Sequence, residues 1–395
     1  MGLTRKRILI AAVAGLVLLG AWFVYFYFFS TSAALRHAEA FLFRRLTVTQ
    51  VSDEGTHRHF FITNRLRESD DEPFEESFGS DRNDALMFGA FDATPQPTLT
   101  LGMIVDPSQW FQNEQVRIND VHQLRKADFF AELGGFVDAS PGRSLLIVIQ
   151  GYREAFPSAL RKAAFTASIL DINTPVLAFD WPGNQGTSVR GYNQARRVAE
   201  ASGTELAQAL EHIIREVRPD RLSVLANSMG AEVVVNAFDQ LYAKADLADA
   251  ETEISHVVLT APDADHADFN ARFRDQIAAL SDKLTVYVSS NDRALLMSRV
   301  INRGQRLGES TLDVRQLEEA TSILELTDVG SNRITLVDVT PVNRTRNFHG
   351  FSLETPEFFD DLYLRLTSDQ VPTNRLIYRV ETGKDDVYWV LTSGR

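Results

Sequence analysis

Residues Arg221 to Gly230 read RLSVLANSMG. Leu222, Val224 and Leu225 make a short apolar run with β-branched character. Ala231 to Phe238 follows and can continue as a buried helix. A strand, a sharp turn and a helix, with a serine at the apex, is the setting of a nucleophile elbow. Such a turn squeezes its backbone, so the residues two before and two after the serine must be small. Here they are Ala226 and Gly230. A serine in that place can also simply cap the helix. As a nucleophile, Ser228 needs a base to take its proton, and the base needs an acid to orient it. Three histidines follow Ser228 in the chain: His256, His266 and His349. The candidate acids are Asp292, Asp263 and Asp265. The run Asp263-x-Asp265-His266-x-Asp268 also has the donor types of a metal site, but its acids suit a helix start, where the dipole favours them. No metal and no other cofactor is expected.

The surrounding elements decide among these groups. Leu145 to Ile149 is continuously apolar, as a strand buried on both faces should be. Ala155 to Leu170 reads as a helix and Val176 to Phe179 as the next strand. Leu206, Leu210, Ile213, Ile214 and Val217 share one face of a helix that ends near Val217. After the elbow come strands at His256–Leu259, Leu284–Val288 and Ile334–Val337, with a helix near 268–280 between the first two. A loop from Pro341 to His349 leads to a closing helix, Pro356 to Leu366. This alternation predicts an α/β fold with a mostly parallel, doubly wound sheet and helices on both faces. Ligand chemistry then belongs at the carboxyl ends of the strands. On an elbow of this kind the chain order is serine, acid, histidine. His256 opens a strand, at the wrong end of the sheet, while His266 lies just past a strand. His349 lies between the last strand of the series and the last helix, where the base is expected. Asp292 follows the strand before the last. Asp263 and Asp265, one strand earlier, are the alternative acids. The oxyanion hole needs two backbone N–H groups aimed at the developing charge. Met229 supplies one, and Tyr152, beside the permissive Gly151, is expected to supply the other.

The chain has 395 residues, 44% of them hydrophobic, enough for a sizeable core. A net charge of −13 argues against a nucleic-acid partner. The absence of cysteine rules out disulfides, thiolate metal sites and a cysteine nucleophile. Arg5, Lys6 and Arg7 precede Ile8 to Phe29, an uncharged run long enough to span a bilayer as a helix. Trp22, Tyr25 and Tyr27 crowd its far end like an interfacial belt. A cleaved signal peptide would have a shorter apolar region. The reading is therefore a single-pass anchor over 8–29, with 1–7 cytoplasmic and the catalytic domain extracytoplasmic or periplasmic. Residues 30–58 read as a linker helix, its amphipathic part at 35–51. The hydrolytic domain is then 59–371, divided into N-terminal strands with an acidic loop (59–143) and a core (144–371). Arg67 to Asp84 reads as the solvated acidic loop, and Leu86–Phe91 and Leu99–Val105 as strands. Residues 372–395 read as a terminal hairpin.

Several pieces together carry a resemblance. They are Thr63-Asn64-Arg65, Gln150-Gly151-Tyr152, Phe179-Asp180-Trp181-Pro182, Ala226 to Gly230, Ala261-Pro262-Asp263, Ser289 to Asp292 and Phe348-His349-Gly350. In order and spacing the stretch from Phe61 to Phe351 resembles the bacterial α/β-hydrolase group known as DUF900. The resemblance implies an α/β-hydrolase fold and maps Ser228, Asp292 and His349 onto the triad positions. Asn227 and Gln150 stand where relatives usually carry histidine. Two functions compete. One is a membrane-anchored serine hydrolase acting on an ester, thioester or amide of a small-molecule or lipid-like acyl substrate. The other is a membrane-tethered binding protein on the same fold with an idle site.

Overall fold

The computed structural model describes residues 13, 15–20, 45–52, 55–96, 115–244, 254–263, 276, 279–289, 333–345, 350–368, 377–381 and 387–393. Among the described residues the strands are β1 (His57–Arg67), β2 (Phe78–Pro95), β3 (Val116–Leu124), β4 (Ser144–Ile149), β5 (Val176–Asp180), β6 (Arg221–Asn227), β7 (Ile254–Thr260), β8 (Ser281–Val288), β9 (Ile334–Asp338), β10 (Ile377–Glu381) and β11 (Val387–Leu391). The helices are α1 (Lys126–Ala139), α2 (Phe156–Leu170), α3 (Val189–His212), α4 (Gly230–Tyr242), α5 (Phe351–Glu354) and α6 (Pro356–Thr367). One sheet runs β10-β11-β9-β8-β7-β6-β4-β5-β1-β2-β3. From β11 to β1 every neighbouring pair is parallel. The pairs at both edges are antiparallel.

All six residues of β4 are buried, because the strand is covered on both faces. Leu145, Ile147 and Ile149 join one core with Phe60, Ile62, Val224 and the apolar faces of α1, α3 and α4. Leu146 and Val148 join the other with Phe61, Ala178, Leu225 and the faces of α2 and α6. Ile149 sits opposite Phe179 on one side and Ala226 on the other. The loops after β4, β5 and β6 therefore leave the sheet at one level, which is the arrangement a shared site requires.

Two expectations need correction. The acidic stretch 67–84 is not a solvated loop throughout. Phe74–Glu76 forms one 3-10 turn and β2 begins at Phe78. Phe74 meets Phe78 edge-on, and Phe78 packs on Phe156, so aromatic contacts hold this charged segment against α2. The amphipathic helix read at 35–51 does not extend over 45–51, where the chain is irregular and ends in a bridge from Gln50 to His57. The amides of 45–48 are bonded to Asp171 and Asn173 side chains, which takes the donors a helix would use. Strand β3 and helix α1 were not anticipated at all. The strand expected at Leu99–Val105 and most of the helix expected at 268–280 lie outside the described residues. At the other edge, β11 lies parallel to β9, so the terminal hairpin extends the same sheet.

Val13 and residues 15–20 are helical, and Leu16 is 72% exposed. Among the described residues no helix is long and apolar enough to cross a membrane. The rest of the 8–29 run lies outside them.

Two buried histidines set an acid limit on stability. Burial pushes His59 down to about 3, with His57 adding to the effect, and burial does the same to His256. Both stay neutral in the fold down to about that pH, while the unfolded chain takes up protons below about 6.5. Their stabilisation is thus complete above 6.5 and is lost as pH falls toward 3. The slope is about 1.4 kcal/mol per pH unit for each. His59 Nδ1 has no hydrogen-bond partner, and the ring packs on Phe91. His59→Phe should therefore gain on the native protein by about 1.4 kcal/mol for each pH unit below 6.5. Urea midpoints taken at neutral and mildly acidic pH check this. Parallel pH curves for the two proteins would refute it.

Candidate active site

Ser228 has φ +54°, in the left-handed region that non-glycine residues avoid. The surroundings hold it there. Its N–H donates to Thr260 O at 2.9 Å, and its carbonyl accepts from Ala231 N at 3.0 Å and Asp263 N at 3.1 Å. The turn is thereby locked to the end of β7 and to the start of α4. The small residues have a measurable reason. A Cβ on Gly230 would lie 2.9 Å from both Gln150 O and Ile149 O. A Cβ on Gly151 would lie 2.8 Å from Ser228 Cβ and 3.0 Å from Asn227 O. The loop after β4 is therefore packed backbone-first onto the elbow. Gly151→Ala should displace that loop or the serine. A misplacement near 1 Å costs on the order of 10²-fold in rate. Ester turnover measured beside far-UV circular dichroism checks it, and full activity in a folded Gly151→Ala protein would contradict this packing.

Met229 and Tyr152 follow Ser228 and Gly151 directly. Among the described residues neither amide donates a hydrogen bond to a protein acceptor. Both backbones border the serine, which is the arrangement an oxyanion hole uses. The amide of the next residue, Arg153, is already taken by Gly183 O at 2.9 Å.

What holds the Gln150–Glu154 loop was not legible in the chain. Arg65, 1% exposed, ends the Thr63-Asn64-Arg65 stretch of β1. Its Nε lies 2.6 Å from Asp180 Oδ2 and its Nη2 3.0 Å from Oδ1, a two-pronged pair. Nη2 also donates to Glu154 O at 2.6 Å and to Trp181 O at 2.7 Å. Nη1 donates to Gly79 O at 3.1 Å and to Asn184. Thr63 Oγ1 donates to Asp180 at 2.7 Å. Burial pushes the Asp180 carboxyl up, and the Arg65 guanidinium opposes it. Trp181 Nε1 donates to Gln150 O at 2.8 Å. The loops after β4 and β5 are thus fastened to one buried cation. Breaking such a pair from one side costs about 3–5 kcal/mol. The available signal was an arginine and an aspartate, each ending an apolar strand. Asn64 Nδ2 bonds Ser202 and Glu205 and so ties β1 to α3.

Asp263 is 4% exposed, and its Oδ2 accepts from Tyr192 OH at 2.6 Å. Tyr192 meets Tyr152 edge-on at 5.5 Å between ring centres. Glu232 lies in the first turn of α4, and burial pushes its carboxyl up to about 7, with Arg196 opposing. Glu232 thus carries less negative charge near neutral pH than an ordinary carboxylate would at the helix end nearest the oxyanion position. Sequence reasoning overlooked it.

Asp292, His349, Asp265 and His266 lie outside the described residues. Their neighbours are placed. Ser352, three residues past His349, donates from Oγ to Asn227 Oδ1 at 3.2 Å. Asn227 immediately precedes the serine and also accepts from Thr260 Oγ1 at 3.0 Å. Ser289, three residues before Asp292, accepts from Asn343 Nδ2 at 2.8 Å. His256 is far from this cluster in function: it is buried in β7 with Nε2 2.8 Å from Thr285 Oγ1. Among the described residues no three His, Asp or Glu groups gather to hold a metal.

Comparison with known proteins bears on the same region. A family model described as "Alpha/beta hydrolase of unknown function (DUF900)" matches residues 125–363. Among solved structures, the chain is similar to a zinc-bound cold-adapted esterase from an Arctic intertidal metagenomic library. Identity is 12%, with 81% of this chain and 98% of that one covered, at a TM-score of 0.37. It is also similar to a propionate-bound thermophilic esterase from the Planctomycetes species Thermogutta terrifontis. There identity is 12%, with 59% and 85% covered, at a TM-score of 0.30. No curated protein matches it. The family model spans more than half of the chain, and the chain belongs to the α/β hydrolases of unknown function, DUF900.

Proposed function

We propose that this protein is a membrane-anchored serine hydrolase that cleaves an ester, thioester or amide through an acyl-enzyme on Ser228. The observation that carries the reading is the elbow: a serine strained to φ +54° with the backbone of the β4 loop packed against it. Strain of this kind is retained where it aims a reactive group. In the reaction, Ser228 Oγ attacks the carbonyl carbon as His349 takes its proton. Met229 N–H and Tyr152 N–H receive the oxyanion. His349 then gives the proton to the leaving group as its bond to carbon breaks. Water, deprotonated by the same histidine, releases the acid and restores the serine. Asp292 orients the imidazole and stabilises its charged form, with Asp263 as the alternative. The anchored segments Ser352–Asn227 and Ser289–Asn343 support this assignment, because three residues reach at most about 10 Å. A fluorophosphonate probe tests the reading. It should label the native protein and leave Ser228→Ala unlabelled. Failure to label the folded native protein would favour an idle site.

The anchor is the second half of the reading. Val13 and Leu16 to Leu19 are 55–72% exposed in a helical stretch with no charged residue, and apolar surface of that kind asks for a lipid partner. The intact protein should float with membranes, and a chain starting at residue 32 should stay in the supernatant. A mature N-terminus near Ala33 in cells would show a cleaved signal peptide instead.

A further inference from the structure

The Thr63-Asn64-Arg65 stretch has no part in the chemistry assigned to Ser228, yet its arginine reaches both ends of the loop that carries Tyr152. At one end, Arg65 Nη2 donates to Glu154 O at 2.6 Å. At the other, the link runs through Trp181. Arg65 Nη2 donates to Trp181 O at 2.7 Å, and Trp181 Nε1 donates to Gln150 O at 2.8 Å. Only Gly151, Tyr152 and Arg153 lie between the two held carbonyls. Gly151 packs against the serine, since a Cβ there would lie 2.8 Å from Ser228 Cβ. Arg153 has φ +70°, in the left-handed region, and its N–H is bonded to Gly183 O at 2.9 Å. The Tyr152 hydroxyl donates to Gly186 O. The loop is thus bent against its own preference and tied at each end to the same guanidinium.

We propose that Arg65 is a positioning residue for hydrolysis: acting through Glu154 O and through Trp181, it sets the Tyr152 N–H in line for the oxyanion. The inference rests on the reading of Ser228 as a hydrolytic nucleophile. Stability is a weak reason for this arginine. A fully buried ion pair such as Arg65–Asp180 contributes little net stability, because desolvation offsets most of the attraction. Its neighbours along β1 and β5 are the buried Phe60, Phe61, Ile62, Leu177 and Phe179. What the guanidinium adds is direction. Asp180 fixes its planar fork, and the fork fixes main-chain carbonyls of two loops. With that clamp released, Arg153 relaxes to negative φ. The chain before it swings, and the Tyr152 N–H leaves its line. Ser228 itself stays in place, because its backbone is locked to Thr260 O, Ala231 N and Asp263 N. The loss therefore falls on the transition state and not on substrate binding.

Arg65→Lys in the full chain tests this, because it keeps a buried cation beside Asp180 and removes the fork. Turnover is measured on a short p-nitrophenyl ester. Working sites are counted by fluorophosphonate labelling carried to completion, so that misfolded protein drops out of the rate. The kcat per labelled serine should fall by about 10²-fold, the cost of losing one oxyanion donor, with KM unchanged. A trifluoromethyl ketone of the same acyl chain adds to the serine and places an oxyanion in the hole. Its affinity should fall by a similar factor. A merely structural role would instead lower the number of labelled serines and leave kcat per serine native. Trp181→Phe removes the Nε1 donor to Gln150 O and spares the bonds of Arg65 to Asp180 and Glu154. It should give the same pattern to a smaller degree, and it carries the test if Arg65→Lys does not fold. Native kcat per labelled serine in either variant overturns the inference, as does a raised KM with ketone affinity unchanged. Native protein that neither labels nor turns over the ester removes the hydrolase reading, and this inference with it.

Discussion

Ser228→Ala is expected to abolish hydrolysis of short p-nitrophenyl esters and to leave the fold intact. Removing the nucleophile of a triad costs roughly 10⁶ in kcat, because serine, base and acid act as a unit. The fold should survive, since the bonds that lock residue 228 come from its main chain. They run to Thr260 O, Ala231 N and Asp263 N. A second substitution separates the chemistry from the strain. Alanine at 228 keeps the +54° φ, whereas glycine adopts that angle freely. The left-handed region costs a non-glycine residue about 1–2 kcal/mol, and glycine's extra freedom in the unfolded chain returns part of it. Ser228→Gly should thus be inert, yet more stable than Ser228→Ala by up to about 1 kcal/mol in urea denaturation. Near-normal turnover in folded Ser228→Ala would remove the mechanism. Equal stability of the two variants would remove the strain that the elbow is argued to hold.

What could be read from the chain follows from which physical signals are local. The strands β4, β5 and β6 were legible because burial on both faces makes an unbroken apolar run. The elbow was legible because its tight turn calls for small flanking residues, and at Gly230 the positions of Gln150 O and Ile149 O show why. Helix α1 was not. Its start, Arg125, makes no side-chain cap, and Gly134 and Gly135 lie inside it. Both features lower helix propensity, and Phe129, Phe130, Leu133 and Val137 outweigh them by tertiary burial. The first half of β2 was also hidden, because Asp81, Arg82 and Asp84 read as a solvated stretch. Arg82 instead reaches the nearly buried Glu205 at 2.9 Å. The Arg65 hub is illegible for a different reason. Its partner Asp180 is 115 residues away, and no local rule joins them. Only the parallel pairing of β1 with β5 brings Thr63 opposite Asp180. The candidate site thus divides. Its nucleophile and oxyanion loop follow from local crowding, and the support beneath them follows from topology.

The acid of the triad gives the second large effect. Asp292→Asn is expected to lower kcat by about 10⁴, the cost of losing the carboxylate that fixes the histidine tautomer and stabilises the imidazolium. Asp263→Asn is expected to cost far less. Asp263 already has a structural role: its amide holds Ser228 O at 3.1 Å and its Oδ2 accepts from Tyr192 OH at 2.6 Å. An asparagine oxygen can still accept that hydrogen, so the change should cost about 1 kcal/mol of stability. Asp292 follows the strand before the last. In the stretch between it and His349 the one described strand is β9, and Ser289 at the end of β8 is bonded to Asn343 in the loop that leads toward His349. The pH profile adds a readout that a packing defect would not move. A neighbouring carboxylate raises the pKa of a histidine, so its removal lowers it. The acid limb of kcat/KM, which reports the base of the free enzyme, should then shift to lower pH in Asp292→Asn and stay in place in Asp263→Asn. Should activity collapse and the limb move on changing Asp263, with Asp292→Asn nearly unaffected, the acid belongs one strand earlier. Ser228 and His349 would keep their roles, and the Tyr192 bond would become the device that orients the acid.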